Sequence, residues 1–278
     1  MRWVDCHFHV VEPPRDFPMF PGRSYTPTEA SLDAWRATMA PLGFARGVVV
    51  QPSFYGTDNT VLLHTLAQAN GALTGIGAAH EDVSESQLDV MALAGVRGLR
   101  FAHVSAEEAH RTAGFVPLTA LRTLAPRLRA RNMHVNLLTD SRLLPDIESE
   151  LKAAQLPVVL DHMGRVPASL GTQHPGMFAM KKLMDQGWFW VKLSGVANVS
   201  SQAPCYEDAH HIHAELVSHC PERLVWGSDW PHTRPKGGVP STNLLFQRFL
   251  DWTPSSQLRF RILTANPLEL YRLKGEGV

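Results

Sequence analysis

Three cysteines in 278 residues, Cys6, Cys205 and Cys220, are too few and too scattered for a disulfide framework or a CxxC-type zinc site. Reduced thiols are the expectation, with Cys6 a small buried residue in an apolar run. Excess charge of either sign is also lacking. The chain has 26 Lys and Arg against 26 Asp and Glu, a formal net charge of zero. Nucleic acid and acidic membrane surfaces select basic patches or tails, and none is present. No apolar run reaches the ~18 residues of a membrane helix, and the first residues lack a signal peptide's apolar segment. These absences predict a soluble, cytoplasmic protein that binds neither nucleic acid nor membrane. Oligomeric state is unreadable. Linkers and low-complexity segments are missing too, which predicts one domain over residues 1–278.

What is present is alternation. Short β-branched or apolar runs at 2–10, 47–52, 73–80, 96–103, 133–140, 157–163, 189–195 and 223–229 predict eight strands. Amphipathic stretches of helical period separate them, with Pro126 and Pro145 inside two as candidate kinks. Strands alternating with helices imply parallel βαβ units, and eight of them imply an α/β fold of the (β/α)8 TIM-barrel type. A doubly wound open sheet would carry a Gly-rich phosphate loop after the first strand, where this chain reads HVVEPPRDFP. The proline-rich stretch that follows, EPPRDFPMFPGRSYTPT, has the length of a site-shaping loop.

The first strand poses the functional question. In VDCHFH, positions 4–9, strand alternation puts Asp5, His7 and His9 on one face and Val4, Cys6 and Phe8 on the other. Three titratable groups on one face of a buried strand must meet a metal, a substrate or one another. Barrel enzymes place such groups at the C-terminal ends of their strands. Those ends supply Gln51 and Ser53, Arg100, Asp161-His162 with Arg165 beyond, Lys192 and Ser194, and Ser228-Asp229. An aspartate at a barrel mouth beside histidines can take a proton from water, which makes Asp229 a candidate base. His7, His9 and His162 suit either of two tasks. With Asp229 they form a ligand set for one divalent metal, or they donate hydrogen bonds directly to a developing oxyanion. Arg100 and Arg165 suit a carboxylate, which a guanidinium binds through two parallel hydrogen bonds. Gln51, Ser53, Tyr55 and Asn59 could add neutral substrate contacts. Lys192 reads as an interior ion pair and Arg97 as structural. His210, His211 and His213 read as a solvated helix face.

The HxH pair, the histidine ending strand six and the aspartate ending strand eight resemble the amidohydrolase superfamily. VVVQPSFYGTDN, GVRGLRF, LDHMGR, VKLSG, WGSDWPH and NPLELY, in that order, are similar to its 2-pyrone-4,6-dicarboxylate lactonase branch, whose relatives include sugar-lactone and muconolactone-type hydrolases. The resemblance runs from residue 4 to about 271. It implies a hydrolase that opens a carboxylate-bearing lactone in the breakdown of an aromatic or sugar-acid compound. Asp229 would activate water, His7, His9 and His162 would polarise the carbonyl, and Arg100 and Arg165 would hold the carboxylate. It implies no obligatory metal. If one divalent ion, zinc or manganese, is used, His7, His9, His162 and Asp229 would hold it. Strands four and five end without the lysine that bridges two metals in binuclear members. The chain also departs from the branch: Ala106, Asn198 and Leu137-Leu138 stand where further basic residues and a tyrosine are expected. That favours lactone hydrolysis in general over any named substrate. A metal-dependent decarboxylase and a lactone isomerase are the alternatives, while the intact His/Asp set argues against a silent binding barrel.

Overall fold

The computed structural model describes residues 3–111, 113–233 and 238–273, without the side chains of 109–111. Its strands are β1 Trp3–Phe8, β2 Phe44–Val50, β3 Leu73–Gly77, β4 Val96–His103, β5 His134–Thr139, β6 Val158–Leu160, β7 Phe189–Leu193 and β8 Leu224–Trp226. They form one parallel sheet in sequence order, with every neighbouring pair joined by a helical crossover. The ring closes just beyond β8, where the Asp229 amide donates to the His7 carbonyl (2.8 Å) and the His9 amide to the Trp230 carbonyl (2.8 Å). The fold is the expected (β/α)8 barrel.

Each strand is buried on both faces, as parallel barrel strands must be. One apolar layer lies between strands and helices, where Phe8 stacks on Trp35 at 4.2 Å. A second fills the lower barrel interior with Val4, Cys6, Val48, Val50, Ile76, Val159, Trp190, Val225 and Tyr271. Burying a side chain of this size is worth ~1.5–3 kcal/mol, so the two layers supply most of the drive for closure. Gly227 permits that closure: a Cβ there would lie 2.6 Å from the His7 Cβ.

Three details depart from the sequence reading. First, Asp5, His7 and His9 do not share a face. Asp5 pairs with Gly47 and Phe8 with Val49, so β1 carries one extra residue between them. The bulge turns Cys6 and His7 both inward. Asp5 instead points outward and accepts from Trp35 Nε1 (3.0 Å) and the Ser228 hydroxyl (2.6 Å). Second, β6 and β8 end earlier than expected. Beyond them His162, Met163, Arg165 and Asp229 take positive φ values between 50° and 61°, so the chain leaves the ladder there. Third, Pro145 lies in the first turn of the helix Leu144–Ala154, where a missing amide costs nothing, so it starts that helix instead of kinking it. Pro126 does lie inside its helix.

Candidate active site

The strand ends enclose a cavity of about 320 Å³ lined by His9, Tyr25, Ser53, Arg100, His162, Arg165 and Asp229 among others. Tyr25 comes from the proline-rich loop, and its hydroxyl lies 3.1 Å from that of Thr233. Beneath the cavity sits a buried charged hub that the sequence reading underrated. Asp161 Oδ2 accepts from Arg100 Nη2 (2.9 Å) and Nε (3.1 Å) and from Asn136 Nδ2 (2.9 Å). Its Oδ1 lies 3.1 Å from Lys192 Nζ. Burial alone would raise the Asp161 pKa. Lys192, then His7 and Arg100, outweigh it and hold the carboxylate well below its ordinary range. Lys192 is fully buried and its pKa is lowered by desolvation, against the pull of Asp161.

This hub surrounds His7 Nδ1. Lys192 Nζ lies 3.2 Å from it and donates to Asn136 Oδ1 at 2.7 Å. Asp161 Oδ1 also lies 3.2 Å from that nitrogen. Nδ1 can accept from the ammonium, which has no lone pair, or donate to the carboxylate. His7 Nε2 is buried, has no hydrogen-bond partner among the described residues, and lies 3.6 Å from Asp229 Oδ1. His9 is fixed by the backbone. Its Nδ1 donates to the Val50 carbonyl at 2.7 Å, which leaves Nε2 a lone pair facing Asp229 Oδ1 at 3.7 Å. Both histidines of the HxH pair thus turn Nε2 toward the same carboxylate oxygen.

Both rings are neutral at pH 7. Burial, then Lys192, holds His7 far below the ordinary histidine range, and burial, then Arg100, lowers His9 to about 3. His162 is likewise lowered to about 3, mainly by burial. Its Nδ1 lies 3.0 Å from the Ser194 hydroxyl, and Gly195 leaves it room: a Cβ there would come within 2.5 Å of that nitrogen. Asp229 moves the other way. Desolvation raises its pKa to about 7, despite the opposing Arg100. Asp229, His162 and Arg165 all hold left-handed backbone conformations, a cost that non-glycine residues bear mostly at functional sites.

The remaining expected residues divide. Ser53 reaches the cavity. Gln51 lies beside Arg100 but donates to the Gly56 and Asp58 carbonyls. Tyr55 and Asn59 do not line the cavity. The Tyr55 hydroxyl accepts from the Glu12 amide, and Asn59 bonds to both the amide and the carbonyl of Ala78. Arg165 forms a two-pronged pair with Glu108, at 2.8 Å for each contact. His213 is not solvated as expected. It is buried and bonds to the Thr253 hydroxyl at 2.8 Å.

His7, His9 and Asp229 bring one ligand atom each within 4.8 Å of one another, whereas His162 groups with His7 and Asp161 instead. The four residues expected to share one ion thus fall into two groups joined at His7, the second bringing in Asp161. The first fits a divalent ion when His7 carries its hydrogen on Nδ1, toward Asp161.

The amidohydrolase family model matches residues 4–273. The chain belongs to that family. It is 32% identical over 277 residues to a 2-pyrone-4,6-dicarboxylate hydrolase of Comamonas testosteroni, covering 96% of this chain and 89% of the relative. To a 4-sulfomuconolactone hydrolase of Hydrogenophaga intermedia it is 32% identical over 98% of this chain and 89% of the relative. A solved structure from Pseudomonas putida, described as a 2-pyrone-4,6-dicarboxylic acid hydrolase, superimposes with TM-score 0.86 at 32% identity over 99% of both chains. No helix among the described residues is long and apolar enough to cross a membrane.

Proposed function

We propose that this protein hydrolyses a lactone that bears a carboxylate, with Asp229 as general base. One observation carries the reading. A carboxylate of pKa about 7 lies in the cavity between the Nε2 atoms of two neutral histidines, His7 and His9, 3.6 and 3.7 Å away. A base is most useful when its pKa lies near the working pH, because it is then largely ionised and still basic.

Water held between Asp229 and the His9 Nε2 lone pair has an acceptor for each hydrogen. This departs from the sequence expectation for His9, which cannot polarise a carbonyl while its one hydrogen is given to Val50. Asp229 takes one proton as the water oxygen bonds to the lactone carbonyl carbon. Ser194 can donate to His162 Nδ1, which turns the His162 Nε2 hydrogen toward the developing oxyanion. His7 Nε2 packs against Asp229 Oδ1 from below, 3.6 Å away. Collapse of the tetrahedral adduct breaks the ring C–O bond, and the proton on Asp229 passes to the departing ring oxygen. Lactone and water become a hydroxy acid. Should a divalent ion be bound, His7, His9 and Asp229 would hold it, and it would polarise the carbonyl and acidify the water.

The test is ring opening across a panel of carboxylate-bearing lactones, followed by acid release before and after chelation, with metal content measured in parallel. Turnover that survives chelation is expected. Turnover lost on stripping and restored by zinc or manganese would move His7 and His9 from hydrogen bonding to ligation. Carbon dioxide release without ring opening would replace the proposal with decarboxylation.

A further inference from the structure

Arg165 lines the cavity and has the form of a carboxylate-binding fork, yet the fork is closed from within the chain. Its Nη1 and Nη2 each donate to one oxygen of Glu108 at 2.8 Å, the two parallel bonds a substrate carboxylate would make. Glu108 also lines the cavity, 27% exposed at its side chain against 18% for Arg165. Arg100, a second cation on the wall, gives Nε and Nη2 to Asp161 and Nη1 to the Gln51 carbonyl, which among the described residues leaves one hydrogen on each Nη. Asn198 and Leu138 on the same wall add no charge.

We propose that Glu108 sets substrate class: the cavity takes a hydroxylated lactone with a single carboxylate and discriminates against a lactone with two. The carboxylate meets the free Nη hydrogens of Arg100, and Glu108 accepts from a substrate hydroxyl while holding Arg165 neutralised. A second carboxylate would have to displace Glu108 or face it, and like charges at hydrogen-bond distance repel. This inference rests on the lactonase reading, and it separates this chain from relatives named for a dicarboxylate and a sulfonated lactone.

The experiment compares wild type, Glu108→Gln and Glu108→Ala on two lactones, 2-pyrone-4,6-dicarboxylate and a hexaric acid monolactone. Calorimetric titration with isophthalate and benzoate, which do not react, runs alongside. Wild type should favour the monolactone by at least about tenfold in kcat/KM, and Glu108→Gln should shift that ratio at least about tenfold toward the dicarboxylate. The isophthalate-to-benzoate affinity ratio should rise in step. A ratio that neither variant changes, in turnover or in binding, overturns the assignment of Glu108. If neither lactone is opened by any of the proteins, the lactonase reading falls instead, and the titration alone decides whether Glu108 excludes the second anion.

Discussion

At the floor of the barrel, His134 and Tyr271 lie with ring centroids 5.4 Å apart, both buried. At the mouth, Asp161, Lys192 and Arg100 are as deeply buried and charged. Burial lowers His134 to about 3 and pushes Tyr271 well up, so both floor groups stay neutral among aliphatic neighbours. A neutral polar group costs less to bury than an ion, which needs a partner and further hydrogen bonds. The mouth keeps charge in a space of similar dryness by balancing Asp161 against two cations. What the contrast teaches is the use of that charge. It surrounds the inner nitrogen of His7 with Lys192 and Asp161, directly under Asp229, the carboxylate proposed as the base.

The sharpest way to break the contrast is Asp229→Asn, which leaves the mouth its shape and removes the proposed base. Turnover should fall by about a thousandfold, as loss of a general base commonly costs. The same variant carries a stability signature. A carboxyl whose folded pKa is raised to about 7 favours the folded state at low pH, and that contribution is lost as pH rises through 7. Asp229→Asn should therefore melt higher than wild type at pH 8 and no higher at pH 3.

Lys192→Met comes next. It should cost about a hundredfold in turnover, in the range seen for residues that orient catalytic groups. A stability loss of about 3 kcal/mol should accompany it, with Arg100 still compensating Asp161. A merely structural role would stop there. A role for Lys192 in orienting His7 adds a change in the nitrogen-15 resonances of its imidazole, which report how the hydrogen is shared between Nδ1 and Nε2. Resonances identical in wild type and variant would leave Lys192 a structural residue only.

The smallest effect on activity is expected at the floor. Ile76→Ala should cost about 2–5 kcal/mol in denaturant unfolding, because the site cannot collapse around the lost atoms. Yet kcat should stay within about twofold, since no hydrogen at the mouth is moved.

The strands were legible because their apolar runs are bounded by turn residues, and β4 matches its expected range to the residue. His7, His9, His162, Arg100, Arg165 and Asp229 were legible as strand-end polar groups, a positional signal that needs no side-chain detail. The facing of Asp5 was not. Alternation assumes an unbroken ladder, and a one-residue bulge leaves no mark in VDCHFH. Asp161 carries a weaker mark than its neighbour His162, and the signal that finds it is an aspartate ending one strand beside an interior lysine on the next. The partners of the inner nitrogens of His7 and His9 include Lys192 and the Val50 carbonyl, 185 and 41 residues away, which no local pattern encodes. Tyr55 and Asn59 looked like substrate contacts because polar loop residues near a site look alike until their backbone partners are known.

The central claim is that a desolvated Asp229 is the base that activates water for ring opening. The pH dependence of kcat/KM for a carboxylate-bearing lactone tests it most directly. The account predicts a rate that rises with pH and levels off above a midpoint near 7, with that limb abolished in Asp229→Asn. The same limb in wild type and Asp229→Asn would assign the proton transfer to another group and contradict the account.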